Sequence, residues 1–197
     1  AGNGDFTYSG DGGLATQAGM QFGDFCLDTA GNIYLTGNYR VRRIDAATGL
    51  ISTISGTGVA ADGSYSGDGE PASSATFGEP TTICTDDSNN IYILDYSFGV
   101  IRKIAAATGI ISTIAGSGSL SAASAGDEGS ATAASFFMPG TIATDNLGDL
   151  FIMDGYSIRK ITKSTGIIST VAGIGIQGYS GDGGDPLKAK LSLSSLH

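Results

Sequence analysis

Apolar residues along this chain fall in short clusters separated by runs rich in glycine, serine, aspartate and asparagine, and the clusters recur in a fixed order. Thr48-Gly49-Leu50-Ile51-Ser52-Thr53-Ile54 returns as Thr108-Gly109-Ile110-Ile111-Ser112-Thr113-Ile114 and again as Thr165-Gly166-Ile167-Ile168-Ser169-Thr170-Val171, at spacings of 60 and 57 residues. A second marker, Tyr-Ser-Gly-Asp-Gly, begins at Tyr8, Tyr65 and Tyr179, with a degraded copy at Ser124-Ala125-Gly126-Asp127. Self-similarity at such a period is the signature of a repeat architecture.

Each copy predicts four short strands. Phe25-Cys26-Leu27-Asp28, Ile83-Cys84-Thr85-Asp86 and Ile142-Ala143-Thr144-Asp145 form the first, followed by a turn ending at Gly31, Asn89 or Gly148. Glycine and asparagine tolerate the left-handed conformation a short hairpin loop needs there. The second strand, Ile33-Tyr34-Leu35, Ile91-Tyr92-Ile93-Leu94 or Leu150-Phe151-Ile152-Met153, is apolar at successive positions, which predicts burial of both faces. Val41-Arg42-Arg43-Ile44, Ile101-Arg102-Lys103-Ile104 and Ile158-Arg159-Lys160-Ile161 form the third, and a Thr-Gly turn leads into the Ile-Ser-Thr-Ile/Val fourth. The Ala-x-x-Ala segments at Ala15–Ala18, Ala72–Ala75 and Ala131–Ala134 predict single helical turns before each first strand. Antiparallel four-stranded units covered on both faces suit sheets stacked around an axis, an all-β propeller. A parallel β-helix has shorter coils and lacks this hairpin turn chemistry.

The composite Gly-Asp-Gly-x-x-Ala-x-x-Ala, proline, Asp-x-x-Gly-Asn-Ile-Tyr-Ile, Ile-Arg-Lys-Ile, Thr-Gly-Ile-Ile-Ser-Thr resembles NHL-repeat β-propellers. Its best copy runs from Gly67-Asp68-Gly69 through Pro80, Asp86, Asn90 and Ile101-Arg102-Lys103-Ile104 to Thr113. Phe22 stands where Pro80 and Pro139 stand, and the third copy lacks the complete Tyr-Ser-Gly-Asp-Gly loop. The resemblance implies one segment over residues 1–197, with repeats near 1–57, 58–116, 117–173 and a partial copy over 174–197. Ala1-Gly2-Asn3-Gly4 aligns with Ala115-Gly116-Ser117-Gly118 and Ala172-Gly173-Ile174-Gly175, while His197 falls near the Cys26 position. Three complete blades are fewer than the roughly 4–8 with which propellers close. The sequence therefore predicts either a window on a longer propeller or chains that complete one another, most simply as a six-bladed dimer. Residues 1–197 alone are expected to assemble or aggregate rather than to persist as a closed monomer.

Thirty-two glycines, no tryptophan and 15% charged residues agree with many tight turns between short strands. The formal net charge of -9 sets the surface against phosphate backbones and anionic headgroups, so nucleic-acid partners and membrane insertion are not expected. No apolar run reaches the ~20 residues of a membrane helix, and Ala1 opens no signal-peptide pattern, which fits a cytosolic chain or a secreted one already processed. No asparagine begins an Asn-x-Ser/Thr acceptor.

Four sets of residues carry candidate chemistry. Arg42/Arg43, Arg102/Lys103 and Arg159/Lys160 read as structural, one arginine per blade bonded to Asp28, Asp86 or Asp145, or to Asp95 or Asp154. Cys26 and Cys84 occupy equivalent places where the third copy has Ala143, so small buried side chains are expected; a disulfide between neighbouring blades depends on geometry. The loops at Asp11, Asp68 and Asp182 invite calcium, but each supplies one carboxylate where calcium takes six to eight oxygens, and aspartate beside glycine is ordinary turn chemistry. No cofactor is otherwise expected. Finally, in an up-and-down blade the loops after the second and fourth strands emerge on one face. Tyr39, Tyr96 and Tyr156 lie in the first set, Tyr8, Tyr65 and Tyr179 in the second, with Asp95, Asp154, Asp11, Asp68 and Asp182 beside them. Such an acidic, tyrosine-bearing face suits a protein or glycan partner, because tyrosine joins a flat apolar body to a polar tip.

The sequence thus favours a non-catalytic, extracellular module for protein or glycan interaction or for structural assembly. The alternative is part of a propeller enzyme, a metal-dependent lyase or hydrolase with its catalytic residues in other blades. The resemblance to NHL propellers includes such enzymes, whose channels need converging imidazoles and carboxylates, whereas the single histidine here is His197. No Gly-x-Ser-x-Gly elbow, Cys-His pairing or phosphate-cradling loop is present.

Overall fold

The computed structural model describes residues 1–21 and 23–192; Phe22 and His197, both used in the repeat alignment, lie outside the described residues. Strands β1 (Phe25–Leu27), β2 (Ile33–Gly37), β3 (Arg40–Ile44) and β4 (Ile51–Ser55) form the first antiparallel sheet. The second contains β5 (Pro80–Thr85), β6 (Ile91–Asp95), β7 (Val100–Ile104) and β8 (Ile111–Ala115). In the third, β10 (Pro139–Thr144), β11 (Leu150–Asp154), β12 (Ser157–Ile161) and β13 (Ile167–Ala172) are joined at the outer edge by β9 (Gly129–Ser130). The helices among the described residues are single 3-10 turns, and three of them fall on the Ala-x-x-Ala segments, at Ala15–Gln17, Ala72–Ser74 and Ala131–Ala133. None is long and apolar enough to cross a membrane. These are four-stranded antiparallel blades of a β-propeller.

Burial follows the reading of the second strands: Ile91 to Asp95 are all buried. One face of β6 carries Ile91 and Ile93 against Tyr34 and Val41 of the first blade, together with Ala72, Ala75 and Phe77 from the loop between them. The opposite face carries Tyr92 and Leu94, which pack with Ile101 against Leu150, Ile152, Ala131, Ala134 and Phe136 of the third. Strand alternation sends these two residue sets to opposite neighbours, so one strand serves two inter-blade cores.

The first strand of each blade lies innermost. Residues from β1, β5 and β10 wall one axial cavity of about 530 Å³. Threonines lace these strands together: Thr85 donates to the Leu27 carbonyl at 2.7 Å and Thr144 to the Thr85 carbonyl at 2.8 Å. Cys26 and Cys84 sit in this wall as free thiols, half-buried, and burial pushes the Cys26 thiol up to about 12 and raises that of Cys84 as well. Thiols so raised are protonated near neutral pH and therefore poor nucleophiles, which agrees with the reading of small packed side chains.

All three blades share an irregularity at the same place, and the second and third add another after Pro80 and Pro139. The pairing register shifts between Val41 and Arg42, between Ile101 and Arg102, and between Ile158 and Arg159, leaving Ile54, Ile114 and Val171 as extra residues on the fourth strand. A bulge bends the strand and re-aims the neighbouring side chain. Here it lies beside the arginine.

Candidate ligand face and the ionic nodes beneath it

The arginines are buried and structural; Arg159 meets the expected Asp154, but in every blade the main carboxylate partner is one the sequence reading did not name for it. Arg42 donates to Asp11 through Nη2 at 2.6 Å and Nε at 3.1 Å, and to the carbonyls of Ser9 and Gly19. Arg102 reaches Asp68 at 2.8 Å and the Ser66 and Thr76 carbonyls. Arg159 reaches Asp127 and the Ala125 and Ser135 carbonyls, and adds Asp154 at 3.2 Å. The carboxylate thus comes in every blade from the loop more than thirty residues upstream, including the degraded third copy. Each arginine pins its loop to the blade that follows it.

Asp28, Asp86 and Asp145 serve the first hairpin instead. Asp86 accepts the backbone N–H groups of Ser88 and Asn90, the Asn90 side-chain amide and the Tyr92 hydroxyl. Asp28 repeats this set with Ala30, Asn32 and Tyr34. In the third blade Asp149 replaces the asparagine and pairs with Lys160 at 2.6 Å. Burial pushes the Asp86 and Asp28 carboxyls up, but the bonds from Asn90 and Tyr92, or Asn32 and Tyr34, outweigh it and hold both below the usual carboxylate range. Asp11 and Asp127 behave likewise: burial raises them, and bonds from Tyr8, Thr53 and Arg42, or Thr170 and Arg159, win. Asp95 and Asp154 go the other way, because their burial exceeds the stabilisation from the N–H groups of Gly78 and Glu79, or of Phe137 with Arg159.

The sign of the pH dependence follows. A lowered carboxyl contributes stability present above its unfolded value of 3.8 and lost as pH falls through the lower folded value. A raised one contributes in the opposite sense, its stability lost as pH rises. The lowered set outnumbers Asp95 and Asp154, so the melting temperature should fall steeply from about pH 4 toward about pH 2. Asp86→Asn should flatten that slope in calorimetric melts across the range, and an unchanged slope would show that the hairpin carboxylate is not the sensor.

The two sets of loops do share a face. Phe98, after β6, meets Tyr65 edge-on at 5.6 Å, and Arg40, after β2, lies over the Tyr8 ring at 3.7 Å. Two clefts open here. One of about 450 Å³ is lined by Gln21, Asn38, Tyr39, Glu79 and Thr81 between the first two blades. The other, about 460 Å³, is lined by Ser124, Phe137, Asp154, Tyr156 and Ile174 beside the third. Tyr39 and Tyr156 line these clefts; Tyr96 is half-buried, and Tyr8 and Tyr65 are half-covered by Arg42 and Arg102. Asp11 and Asp68 are bonded to arginine, while Asp95 and Asp154 are buried and hold the loop preceding the first strand. Tyr179 is 83% exposed and donates to Asp182. Sequence reasoning missed Gln21, Asn38 and Glu79; their signal was position alone, next to the strand ends that border the axis.

Comparison with known proteins agrees with this architecture. Residues 120–195 match the model of the teneurin NHL domain. A structural-genomics protein of unknown function from Bacteroides thetaiotaomicron superposes with a TM-score of 0.63 at 24% identity, over 86% of this chain and 40% of that one. Two auxiliary nutrient binding proteins superpose with TM-scores of 0.57. That from Bacteroides ovatus is 17% identical over 85% of this chain and 38% of its own, and that from Bacteroides thetaiotaomicron 19% over 83% and 39%. The chain therefore spans about two fifths of the length of these structures, and at such identities they share its fold. No curated protein is significantly similar in sequence.

Proposed function

We propose that this chain is a non-catalytic binding module of the extracellular space that takes a protein or glycan partner on its loop face. The observation that carries the reading is the pair of clefts on the loop face, each combining a tyrosine with amide, hydroxyl or carboxylate groups. A shallow site of that composition offers a stacking surface ringed by donors and acceptors, which suits hydroxyl-rich or peptidic ligands. The propeller beneath supplies rigidity: the ionic nodes and threonine lacing fix the loops from below, so little ordering is left for the moment of binding. Two of the solved structures on this scaffold are described as nutrient binding proteins, which motivates the extracellular placement. A propeller enzyme would instead bring histidines and carboxylates into the axial cavity from further blades, and finding them would favour that alternative.

The test uses affinity electrophoresis against neutral polysaccharides and a phage-displayed peptide library. At least one probe should bind, and Tyr39→Ala or Tyr156→Ala should weaken it about tenfold or more while moving the melting temperature little. Binding that ignores both substitutions, or no binding to either probe class, overturns the reading.

A further inference from the structure

The segment 177–191 repeats, bond for bond, the three loops that hold an arginine. Its glycine Gly181 has a positive φ of 99°, and a Cβ there would meet Ala189 Cα at 2.9 Å, as Gly67 would meet Ala75 Cα at 2.8 Å and Gly126 would meet Ala134 Cα at 2.9 Å. Gly184 donates to Gly181, as Glu70 does to Gly67, and Gly173 and Ile174 donate to Pro186 and Ala189, as Gly56 and Thr57 do to Ala72 and Ala75. Ser180 and Lys190 pair as Ala125 and Ser135 do.

In the three complete copies the same positions grip the outer hairpin of a blade. Two loop carbonyls and the aspartate take the guanidinium. The other aspartate oxygen accepts a fourth-strand N–H, that of Thr53 in the first copy and Thr170 in the third. The next residue, Gly12, Gly69 or Glu128, donates to the carbonyl of Ile51, Ile111 or Ile168. In the fourth loop the Ser180 and Lys190 carbonyls accept each other's N–H, as those of Ala125 and Ser135 do while also holding Arg159, and Asp182 and Gly183 follow in the same order. Among the described residues Asp182 is bonded only by Tyr179, whose ring is far more exposed than its counterparts Tyr8 and Tyr65.

We infer that residues 177–191 are a built receptor for an arginine guanidinium carried on the third strand of a further blade of this repeat, with Tyr179 covering the guanidinium face. A second copy of residues 1–197 does not supply that arginine, since Arg42, Arg102 and Arg159 are each held by their own loops. A blade presenting Ile-Arg-Lys-Ile followed by Ile-Ser-Thr-Ile does. Lysine is a poor substitute, because one ammonium cannot meet a carboxylate and two divergent carbonyls with the planar fork that guanidinium provides.

The test adds a fluorescein-labelled peptide of the sequence over residues 100–115 to the full chain and reads anisotropy. In parallel, N-acetylarginine amide and N-acetyllysine amide are titrated to tens of millimolar while the amide signals of Tyr179 and Gly183 are followed by NMR. The small amides need no folding, so they decide the matter if the peptide does not form a hairpin. Arginine probes should register at the loop, the lysine versions should bind about tenfold more weakly, and Asp182→Asn should abolish the difference. Binding that is indifferent to arginine or to Asp182, or silence from both probes, overturns the inference.

Discussion

Replacing Arg159 by methionine should lower the unfolding free energy by about 3–5 kcal/mol, more than the same change at Arg102. Both side chains are buried, and both would lose bonds to two loop carbonyls and an aspartate. The difference lies in what is left behind. Asp68 is 45% exposed and is rehydrated when its partner goes, so Arg102→Met should cost about 2 kcal/mol. Arg159 also pairs with Asp154, which is fully buried. Without the guanidinium that carboxylate must remain desolvated or take up a proton. Burial already raises Asp154, so the variant should recover part of its stability as the pH is lowered toward 5; Arg102→Met should recover less, because Arg102 acts on the buried Asp95 only through its charge, without a direct ion pair. Urea melts of the two variants at neutral and mildly acidic pH check both the order and the pH effect. Equal losses at the two positions would show that Asp154 draws nothing from Arg159.

Gly116→Ala should be as damaging, by on the order of 3 kcal/mol or more. Gly116 has φ of 93°, and a Cβ there would lie 2.0 Å from the Gly99 carbonyl oxygen and 2.8 Å from Val100 Cα, both backbone atoms. No rotamer change relieves such contacts; the end of β8 must lift away from the start of β7, and with it the bond from Gly116 N–H to Ala131 that leads into the next blade. Gly109 is the control. Its φ is also positive, at 69°, but nothing lies within 4 Å of the added atom, so Gly109→Ala should cost only the left-handed penalty of about 1–2 kcal/mol. Thermal melts of the pair separate close packing from backbone preference, and equal losses would refute the packing argument.

The repeat, the four strands per blade and the single turns over Ala-x-x-Ala were legible because each follows from a local pattern: apolar clusters, Thr-Gly turns and spaced small residues. The role of the arginines was legible, and so was the Arg159–Asp154 pair, but the loop aspartates that hold all three were not. Arg102 and Asp68 are 34 residues apart, and the bulge at Ile114 that aims the guanidinium toward the loop leaves no mark in hydrophobic periodicity. The starts of β5 and β10 at Pro80 and Pro139 were missed for a related reason. Proline cannot donate to a ladder and reads as a boundary, yet here it opens the strand opposite Asp95 and Asp154. That the loops after the second and fourth strands emerge together followed from the up-and-down strand order, and Tyr65 meets Phe98 there as Tyr8 meets Arg40. Which acidic groups it presents was not legible, because an aspartate at a strand end looks the same in sequence whether it faces solvent or, like Asp95, accepts two backbone N–H groups from within.

Because Tyr92 and Leu94 on one side of β6 and Ile91 and Ile93 on the other each belong to a separate core, every blade is coupled only to its neighbours. Energetically such a molecule is a linear array, a sum of unit terms and nearest-neighbour terms, in which order spreads along the chain from wherever it begins. Backbone pairing joins consecutive strands within a unit, whereas the apolar cores lie between units, so the junctions carry much of the stabilising burial and no unit is expected to hold its fold without a neighbour.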